Sequence, residues 1–563
     1  MKRILSVVET LSLSVWNSTF YRHLLFFVAS FFVIGSMGYY FGSFDQVVHI
    51  PFLKKFADPS LFPNDYFLDL RQYHYSFFWF FFIPLYRAGI LEISMFIIYG
   101  IAIYLTFWAL WGLSKTLFNN PVTSFLTVLT FSMPHLSFAA FPIFEFSLLN
   151  RTFVLPFLLI AINLYLKKKY IFSFLILGLM YNLHVISVNF VLFFFIFDSI
   201  IRIKRIGVRR LLVHLIFFII AALPVLIWKF NSTPVGFAAD WNWFLTMSNG
   251  MLEHLFYFNS QFYLSLLTLG GISLLILFFI AKRNISNQFN SVITNFIYAA
   301  IVVLCAVYIT STFYPSVIII QSQIIRVGLY VLLFSYLYFI EYSVKLVKNN
   351  KISLFYFSIL LIALIFSLSP LILLSIWLVL KFIRSKYAYL ISIILLGGFL
   401  SFIFYLILKL GLWKPEIHIF PTQGALYDVE LWAKNNTQKD AIFITPPHGW
   451  WLYSPEWRVV AERSTVVTLY DLLEIAFAPD YINLWKNRFQ DIAPGAMEKF
   501  NGNVFENFKI TKQAYYSLTT NDFKRLAKKY NVSYLLVEKQ YTYDLPVVYK
   551  NNDYTLYKLN PSF

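Results

Sequence analysis

The sequence is poor in cysteine and in charge. Its 563 residues include a single cysteine, and only 13% of them are charged, whereas 59% are hydrophobic. One thiol, that of Cys305, excludes intrachain disulfides and zinc sites built from several cysteines. The scarcity of charge excludes an ordinary soluble fold for most of the chain, because a soluble protein could not keep so much apolar surface away from water.

The sequence also lacks the common motifs of nucleotide and hydrolase chemistry. It contains no GxxxxGK[ST], GxGxxG, HExxH or GxSxG pattern, no internal repeat and no low-complexity tail. Chemistry driven by nucleotide hydrolysis and standard hydrolase chemistry therefore have no support in the sequence.

Long apolar runs fill residues 1–412. Runs of roughly 18 or more apolar residues, each long enough to cross a bilayer, recur along this part. They predict a mostly α polytopic membrane domain with about 13 or 14 transmembrane helices. The predicted spans lie near 22–42, 75–91, 92–112, 122–148 (broken at Pro134), 151–166, 170–184, 186–201, 211–229, 260–281, 291–312, 326–344, 352–369, 371–383 and 388–411.

The basic residues predict the orientation of these helices. Residues 1–412 carry 28 Lys and Arg against 11 Asp and Glu, whereas residues 413–563 are nearly neutral, with 17 against 16. The excess lies in short clusters at 2–3, 167–169, 202–210, 282–283, 345–351 and 381–386. Such clusters indicate cytoplasmic loops, and no basic soluble face accompanies them that would favour nucleic-acid binding. The loop 43–74 and the C-terminal part are then expected outside the inner (cytoplasmic) membrane.

The pattern changes after residue 412. Residues 425–446 have the order helix, turn and buried strand, and 521–539 repeat that order. Residues 545–559 are typical of a hairpin that turns at Asn551–Asn552. Residues 413–563 are therefore predicted to form a small extracytoplasmic α/β domain.

Acidic residues of the membrane part are concentrated in its first outer loop. Four of the 11 acids of residues 1–412 lie within 43–74: Asp45, Asp58, Asp65 and Asp69. Asp58 has the setting of a turn residue, and Asp65 is either a helix cap or a functional group. Asp45 is expected just beyond the C-terminal end of the first helix, which is unfavourable for a negative charge, so it is interpreted as a functional group.

Three outer cations near membrane depth are candidates for binding an anion. They are Arg71, Arg151 and Arg326. Arg326 begins an apolar helix, where an arginine either meets an anion or reaches the lipid headgroups. Arg151 has a second interpretation as the structural partner of Glu145.

An aromatic stretch in the C-terminal part has two interpretations. Trp450, Trp451 and Trp457 stand beside Arg458 within residues 445–463. Such rings stack on sugars, which would make a platform for an acceptor, but they also serve to dock one part of a protein on another.

The order of these segments resembles that of bacterial GT-C superfamily membrane proteins. The resemblance rests on a first span that ends in an outer loop with an acid near its start, followed by PFLKKFADPSLFPNDYF. It continues in NRTFVLPFLLIAINLYLKKKYIFSFLILGLMYNLHVISVNF, in QSQIIRVGLYVLLF and in the tail segments AIFITPP and WRVVAERS. Members of that superfamily are glycosyltransferases that use polyprenyl-phosphate sugars. Their first loop often carries two acids at adjacent or alternate positions, whereas this chain has Asp45-Gln46-Val47.

The resemblance implies an integral-membrane glycosyltransferase of the cell envelope. It would move a sugar from a polyprenyl-phosphate donor to an extracytoplasmic acceptor, which is a glycan, a lipid or a protein. Asp45 would be the catalytic base, and Asp65 and Asp69 would contact the acceptor or a metal. Arg326, with Arg151 and Arg71, would bind the donor phosphate. The resemblance requires no cofactor and leaves a divalent cation open.

Two other functions fit the same composition. A transporter or flippase would need acids or broken helices near the middle of the membrane and paired repeats, and the sequence has few such acids and no repeat. A non-catalytic assembly protein of the cell envelope would keep the fold without the chemistry.

Overall fold

The structure, a computed structural model, describes residues 2–559 apart from 136, 138–141, 233–240, 251–261, 313–316, 318–320, 367–368, 384–386, 412 and 449–452. Most of the described residues are helical, and a small sheet lies near the C-terminus.

Apolar helices dominate the part before residue 412. Among the described residues, six helices are long and apolar enough to cross a membrane: Thr19–Met37, Leu91–Phe118, Val208–Ser232, Asn290–Thr310, Ile324–Lys348 and Tyr387–Lys409. Six shorter apolar helices accompany them: Pro121–Phe131, Asn150–Leu166, Tyr170–Tyr181, Val185–Ile201, Leu354–Phe366 and Pro370–Phe382. The other α-helices described in this part are Lys2–Asn17, Gln46–Ala57, Ile83–Arg87, Ile203–Ile206, Trp241–Gly250 and Phe262–Asn284. The chain is a multi-pass membrane protein, as its apolar runs predict.

One of the predicted spans, 75–91, is wrong. Residues 75–91 form a 3-10 turn, Phe78–Phe82, and a five-residue helix, Ile83–Arg87. Pro84 stands in the first turn of that helix, and Gly89, with a φ of +71°, follows its end. The apolar residues of this segment pack against the rest of the protein instead of crossing a membrane, and Phe78 and Phe82 are buried. In the predicted span 122–148, the helix Pro121–Phe131 ends shortly before the expected break at Pro134, and residues 136 and 138–141 lie outside the described residues.

The C-terminal part contains a five-stranded mixed sheet. The strands of the protein are β1 (Tyr39–Tyr40), β2 (Ile417–His418), β3 (Ile442–Ile444), β4 (Ser464–Thr465), β5 (Tyr534–Glu538), β6 (Val547–Lys550) and β7 (Tyr554–Lys558). The sheet has the order β4-β3-β5-β7-β6, in which β4, β3 and β5 are parallel and the hairpin β6–β7 is antiparallel. The α-helices of this part are Ala425–Asn436, Trp457–Val460, Leu472–Ile475, Ile482–Ile492, Val504–Tyr515 and Thr520–Tyr530.

These elements confirm the predicted helix–strand units and the hairpin. The helix Thr520–Tyr530 is capped by Thr519, and Asp522 completes a capping box with it.

A second, two-stranded sheet joins the two parts of the chain. Strand β1 follows the first long apolar helix, and it pairs in parallel with β2, which follows the last one. Beside it, the buried Lys54 ammonium donates to Glu462 Oε1 at 2.6 Å and to the Val459 carbonyl at 2.7 Å. The loop 43–74 and the C-terminal part therefore lie against each other, on the same side of any membrane that the apolar helices cross.

Candidate functional site

The backbone that precedes Asp45 is fixed by close contacts. Gly38 ends the first long helix with a φ of +81°, and a Cβ added there would lie 2.7 Å from the Glu416 carbonyl oxygen. The buried Gln46 amide accepts from the Gly42 N–H at 2.7 Å and donates to the Leu148 carbonyl at 2.8 Å. These bonds hold the chain around Asp45 against the segment that leads into the helix Asn150–Leu166.

The helix-end argument for Asp45 is wrong. Asp45 does not follow a helix C-terminus directly but stands at the start of the next helix, Gln46–Ala57. A helix N-terminus favours a negative charge, so the position itself costs nothing. The interest of Asp45 comes instead from the groups around it.

Asp45 belongs to a cluster of charged groups. Arg151 Nη1 donates to Asp45 Oδ2 at 2.6 Å, and Arg151 Nε donates to Glu145 Oε1 at 2.7 Å. The exposed fraction of the Arg151 side chain is 14%, and that of Asp45 is 25%. Thr152 adds a hydroxyl donor to Glu145 at 3.3 Å. The pairing of Arg151 with Glu145, one of its two predicted interpretations, is thus present, and Asp45 shares the same guanidinium.

Arg326 extends this cluster from another helix. It lies in the 3-10 turn Ile324–Val327, immediately before Gly328–Lys348, and it interacts electrostatically with Arg151, Asp45 and Glu145. The turn begins after Gln323, whose φ of +44° is left-handed. The structure therefore brings Asp45, Arg151 and Arg326 together, and we refer to these three residues with Glu145 as the Asp45 cluster.

The C-terminal part closes the Asp45 cluster on one side. Burial raises the pKa of the Tyr470 phenol well above its ordinary value, and the negative charge of Asp45 adds to that effect while Arg151 opposes it. Gln321, near Arg326, donates to the Ala476 carbonyl at 3.0 Å. Nothing in the sequence around Tyr470 pointed to this role, because the residue is 425 positions from Asp45.

Histidines lie next to the Asp45 cluster. The His49 and His74 rings are 4.6 Å apart, and His74 Nδ1 is 3.5 Å from Glu474 Oε2. Burial lowers the pKa of His49 and of His184 well below the ordinary histidine value, and the charge of Arg151 acts in the same direction on both. These two rings are therefore neutral at pH 7 and add hydrogen-bonding groups to the neighbourhood without adding charge.

Asp65 and Arg458 do not take part in this cluster. Arg458 Nε donates to Asp65 Oδ2 at 2.7 Å and Nη1 donates to Asp471 Oδ1 at 2.9 Å, and all three side chains are almost entirely buried. Burial alone would lower the pKa of Arg458, but Asp471, Asp65 and Glu456 raise it well above the ordinary arginine value. Asp65 is a helix cap, as one of its interpretations predicts, and it also joins the first loop to the C-terminal part.

Asp69 and Arg71 belong neither to the Asp45 cluster nor to the group around Arg458. Their side chains are 3.6 Å apart, and Asp69 is 60% exposed. They line an open cavity of about 670 Å³ with Trp228 and Tyr481. The structure thus separates the predicted site residues: Asp45, Arg151 and Arg326 interact with one another, while Asp69 pairs with Arg71.

The predicted aromatic platform is not found on the residues that the structure describes. Trp457 is buried and packs on Phe443 with ring centroids 4.7 Å apart, so it belongs to the core of the C-terminal part. Arg458 is buried as well, which leaves neither side chain free to stack on a sugar. Trp450 and Trp451 lie outside the described residues.

The structure offers no multidentate metal site in its described part. No group of three or more His, Cys, Asp or Glu residues there has an arrangement that could hold a metal ion.

Comparison with models of known families gives a similarity in the C-terminal part. Residues 425–492 match the model of a domain of unknown function, DUF6798. This segment includes Trp457, Arg458, Tyr470 and Asp471. No curated protein matches the chain significantly.

Proposed function

We propose that the protein is an integral-membrane glycosyltransferase that moves a sugar from a polyprenyl-phosphate donor to an extracytoplasmic acceptor. The proposal is carried by the Asp45 cluster, in which a carboxylate and two guanidinium groups interact at the ends of apolar helices. A transfer of this kind needs a carboxylate that accepts a proton and cations that hold a departing phosphate.

The ends of the helices support an extracytoplasmic position for this site. The helix Asn150–Leu166 begins beside Arg151 and is followed at its other end by Lys167. The helix Gly328–Lys348 begins two residues after Arg326 and carries lysines in its last turn. Lysines at the far ends favour the cytoplasm there, so the Asp45 cluster would face the opposite side.

In the proposed reaction, the acceptor hydroxyl oxygen attacks the anomeric carbon while the bond from that carbon to the phosphate oxygen breaks. The hydroxyl proton passes to the Asp45 carboxylate, and the polyprenyl phosphate leaves with the bonding electrons. Arg151 and Arg326 stabilise the phosphate as its charge develops.

The ion pair of Asp45 with Arg151 gives this reaction an order of events. The Arg151 guanidinium donates to Asp45 Oδ2 at 2.6 Å, so that oxygen is already engaged by a donor when no phosphate is bound. A donor phosphate would compete for Arg151 and thereby release Asp45 to accept a proton. Donor binding would then precede activation of the acceptor.

We expect Arg326→Ala to impair the use of the donor more than that of the acceptor. The loss of one charge-assisted contact to phosphate should raise KM for the donor by roughly tenfold or more. Initial rates measured against donor and acceptor concentrations, in membranes that contain the protein, provide the check. Arg71→Ala is the matched control, because Arg71 lies with Asp69 at the open cavity. Equal effects of the two variants would contradict the assignment of Arg326.

The proposed orientation predicts which sites a membrane-impermeant thiol reagent can reach. In a Cys305→Ser background, single cysteines at the exposed positions Ser60 and Glu498 should both be labelled in intact cells. A cysteine at Lys167 should be labelled only after the membrane is opened. If only the cysteine at position 167 is labelled in intact cells, the orientation is the opposite of the proposed one, and the result contradicts the proposed function.

A further inference from the structure

A small cavity lies inside the C-terminal part, and no residue of the Asp45 cluster lines it. It is found where the parallel strands β3 and β5 end, and it is lined by Glu430, His448, Glu456, Trp457 and Glu538, among others. Its volume is about 60 Å³. In open α/β sheets, ligands bind at the carboxyl ends of the strands, so the cavity has the position of a binding site.

Several polar atoms of this cavity's lining residues have no hydrogen-bond partner among the residues that the structure describes. Both carboxylate oxygens of Glu430 are buried without one, and the residue is 0% exposed. His448 Nδ1 and Trp457 Nε1 are likewise buried, with no hydrogen-bond partner among the described residues. Burying a carboxyl group without a partner is strongly unfavourable, and native proteins rarely do so without a reason. Three such residues around one cavity indicate a ligand that would satisfy them.

The charges around the cavity select the class of ligand. Glu430, Glu456 and Glu538 line it. Glu456 shares the Arg458 guanidinium with two aspartates, and Glu538 pairs with Lys512 at 2.7 Å. Negative charge is therefore in excess, which excludes a phosphate or a carboxylate and favours a cation. Burial and the neighbouring Glu456 raise the pKa of Glu430 well above its ordinary value, so this carboxyl group holds its proton when no cation is bound and would release it to solvent when a cation enters.

The unpartnered atoms indicate which kind of cation would fit the cavity. His448 Nε2 lies 3.5 Å from Glu538, and if it carries the ring proton, Nδ1 is an acceptor. With Glu430 ionised, as a bound cation would favour, the lining residues present three unfilled acceptors, two on Glu430 and one on His448, and one unfilled donor, the Trp457 indole N–H. A primary ammonium group has three N–H donors, and a neighbouring oxygen would accept from the indole. A cavity of about 60 Å³ has room for only a few heavy atoms.

We propose that this cavity binds a primary ammonium group with an oxygen on the adjacent carbon, as in a vicinal amino alcohol. The same chemistry occurs in a free small solute and in an amino sugar of a glycan. The site shares no lining residue with the Asp45 cluster, and its occupation does not depend on the proposed transfer reaction.

The test is isothermal titration calorimetry of the full-length protein in detergent, with ethanolamine and glucosamine as probes. Choline, which has no N–H donor, and ethylene glycol, which has no charge, are the comparison compounds. We expect ethanolamine to bind and the two comparison compounds to give no heat of binding. Glucosamine binding would identify a glycan amino sugar as the source, whereas ethanolamine binding alone would identify a small solute.

Variants assign the binding to the cavity. Glu430→Gln keeps the size of the side chain but cannot ionise to pair with an ammonium group, so it should fold, and it should weaken ethanolamine binding by at least about tenfold. Glu506→Gln, at an exposed glutamate of the same part, is the matched control and should bind as the parent does. The proposal is overturned if neither amine binds to the parent protein, if choline binds as well as ethanolamine, or if Glu430→Gln binds ethanolamine unchanged.

Discussion

Replacing Arg458 with methionine should produce the largest loss of stability of any single substitution considered for this protein. The Arg458 guanidinium contacts Asp65 at 2.7 Å, Asp471 at 2.9 Å and Glu456 at 3.4 Å, all of them buried. Removing the Arg458 guanidinium leaves these three carboxyl groups in the interior without the cation that pairs with them. Breaking a buried ion pair in this way costs about 3–5 kcal/mol of folding free energy. Thermal unfolding of the purified protein in detergent would measure the loss.

Compensating substitutions distinguish lost charge balance from lost packing. Adding Asp65→Asn and Asp471→Asn to Arg458→Met removes the buried charges that the methionine leaves behind, so part of the stability should return. Arg525→Met, at an arginine whose side chain is 63% exposed, is the control and should change the melting temperature little. If Arg458→Met has the melting temperature of the parent, the ion pairs of Arg458 with Asp65 and Asp471 do not stabilise the contact between the first loop and the C-terminal part.

Replacing Asp45 with asparagine should lower sugar transfer by roughly 100-fold or more, the range for the loss of a positioned general base. Asparagine keeps the shape of the side chain and an oxygen that can accept from Arg151, so the amount of folded protein should remain near that of the parent. The measurement is the rate at which free polyprenyl phosphate is released from a polyprenyl-phosphate sugar in membranes that contain each variant.

A matched substitution in the same loop provides the control for Asp45→Asn. Asp58 is bonded to Ser60 and to Lys439 near the surface, and Asp58→Asn should leave the transfer rate near that of the parent. An Asp45→Asn protein that works as the parent does would instead favour a non-catalytic assembly protein.

The architecture of the chain could largely be predicted from local patterns. Apolar runs are a property of consecutive residues, and most of them became helices at the expected places. The hairpin β6–β7 was likewise visible as two strand-forming runs on either side of Asn551 and Asn552. The prediction failed where an apolar run was not a span, because hydropathy does not distinguish a helix that crosses a membrane from aromatic residues that pack sideways, as around Pro84.

The sites depend on contacts that local patterns do not encode. Asp45 and Arg151 are 106 residues apart, and Asp65 and Arg458 are 393 residues apart. The sequence indicated that these residue types were unusual in their surroundings but not which of them would meet. Asp65 and Arg458 were therefore assigned to separate functional roles, although they bind each other.

The most direct test of the proposed transfer is a mass-spectrometric comparison of envelope glycans, lipids and glycoproteins between a parent strain and a strain that lacks this protein. If the protein catalyses the proposed transfer, the deletion strain should lose one sugar residue from a defined envelope molecule. The parent gene should restore that sugar, and the gene carrying Asp45→Asn should not. Identical envelope molecules in the parent and deletion strains, or full restoration by Asp45→Asn, would contradict the proposed transfer.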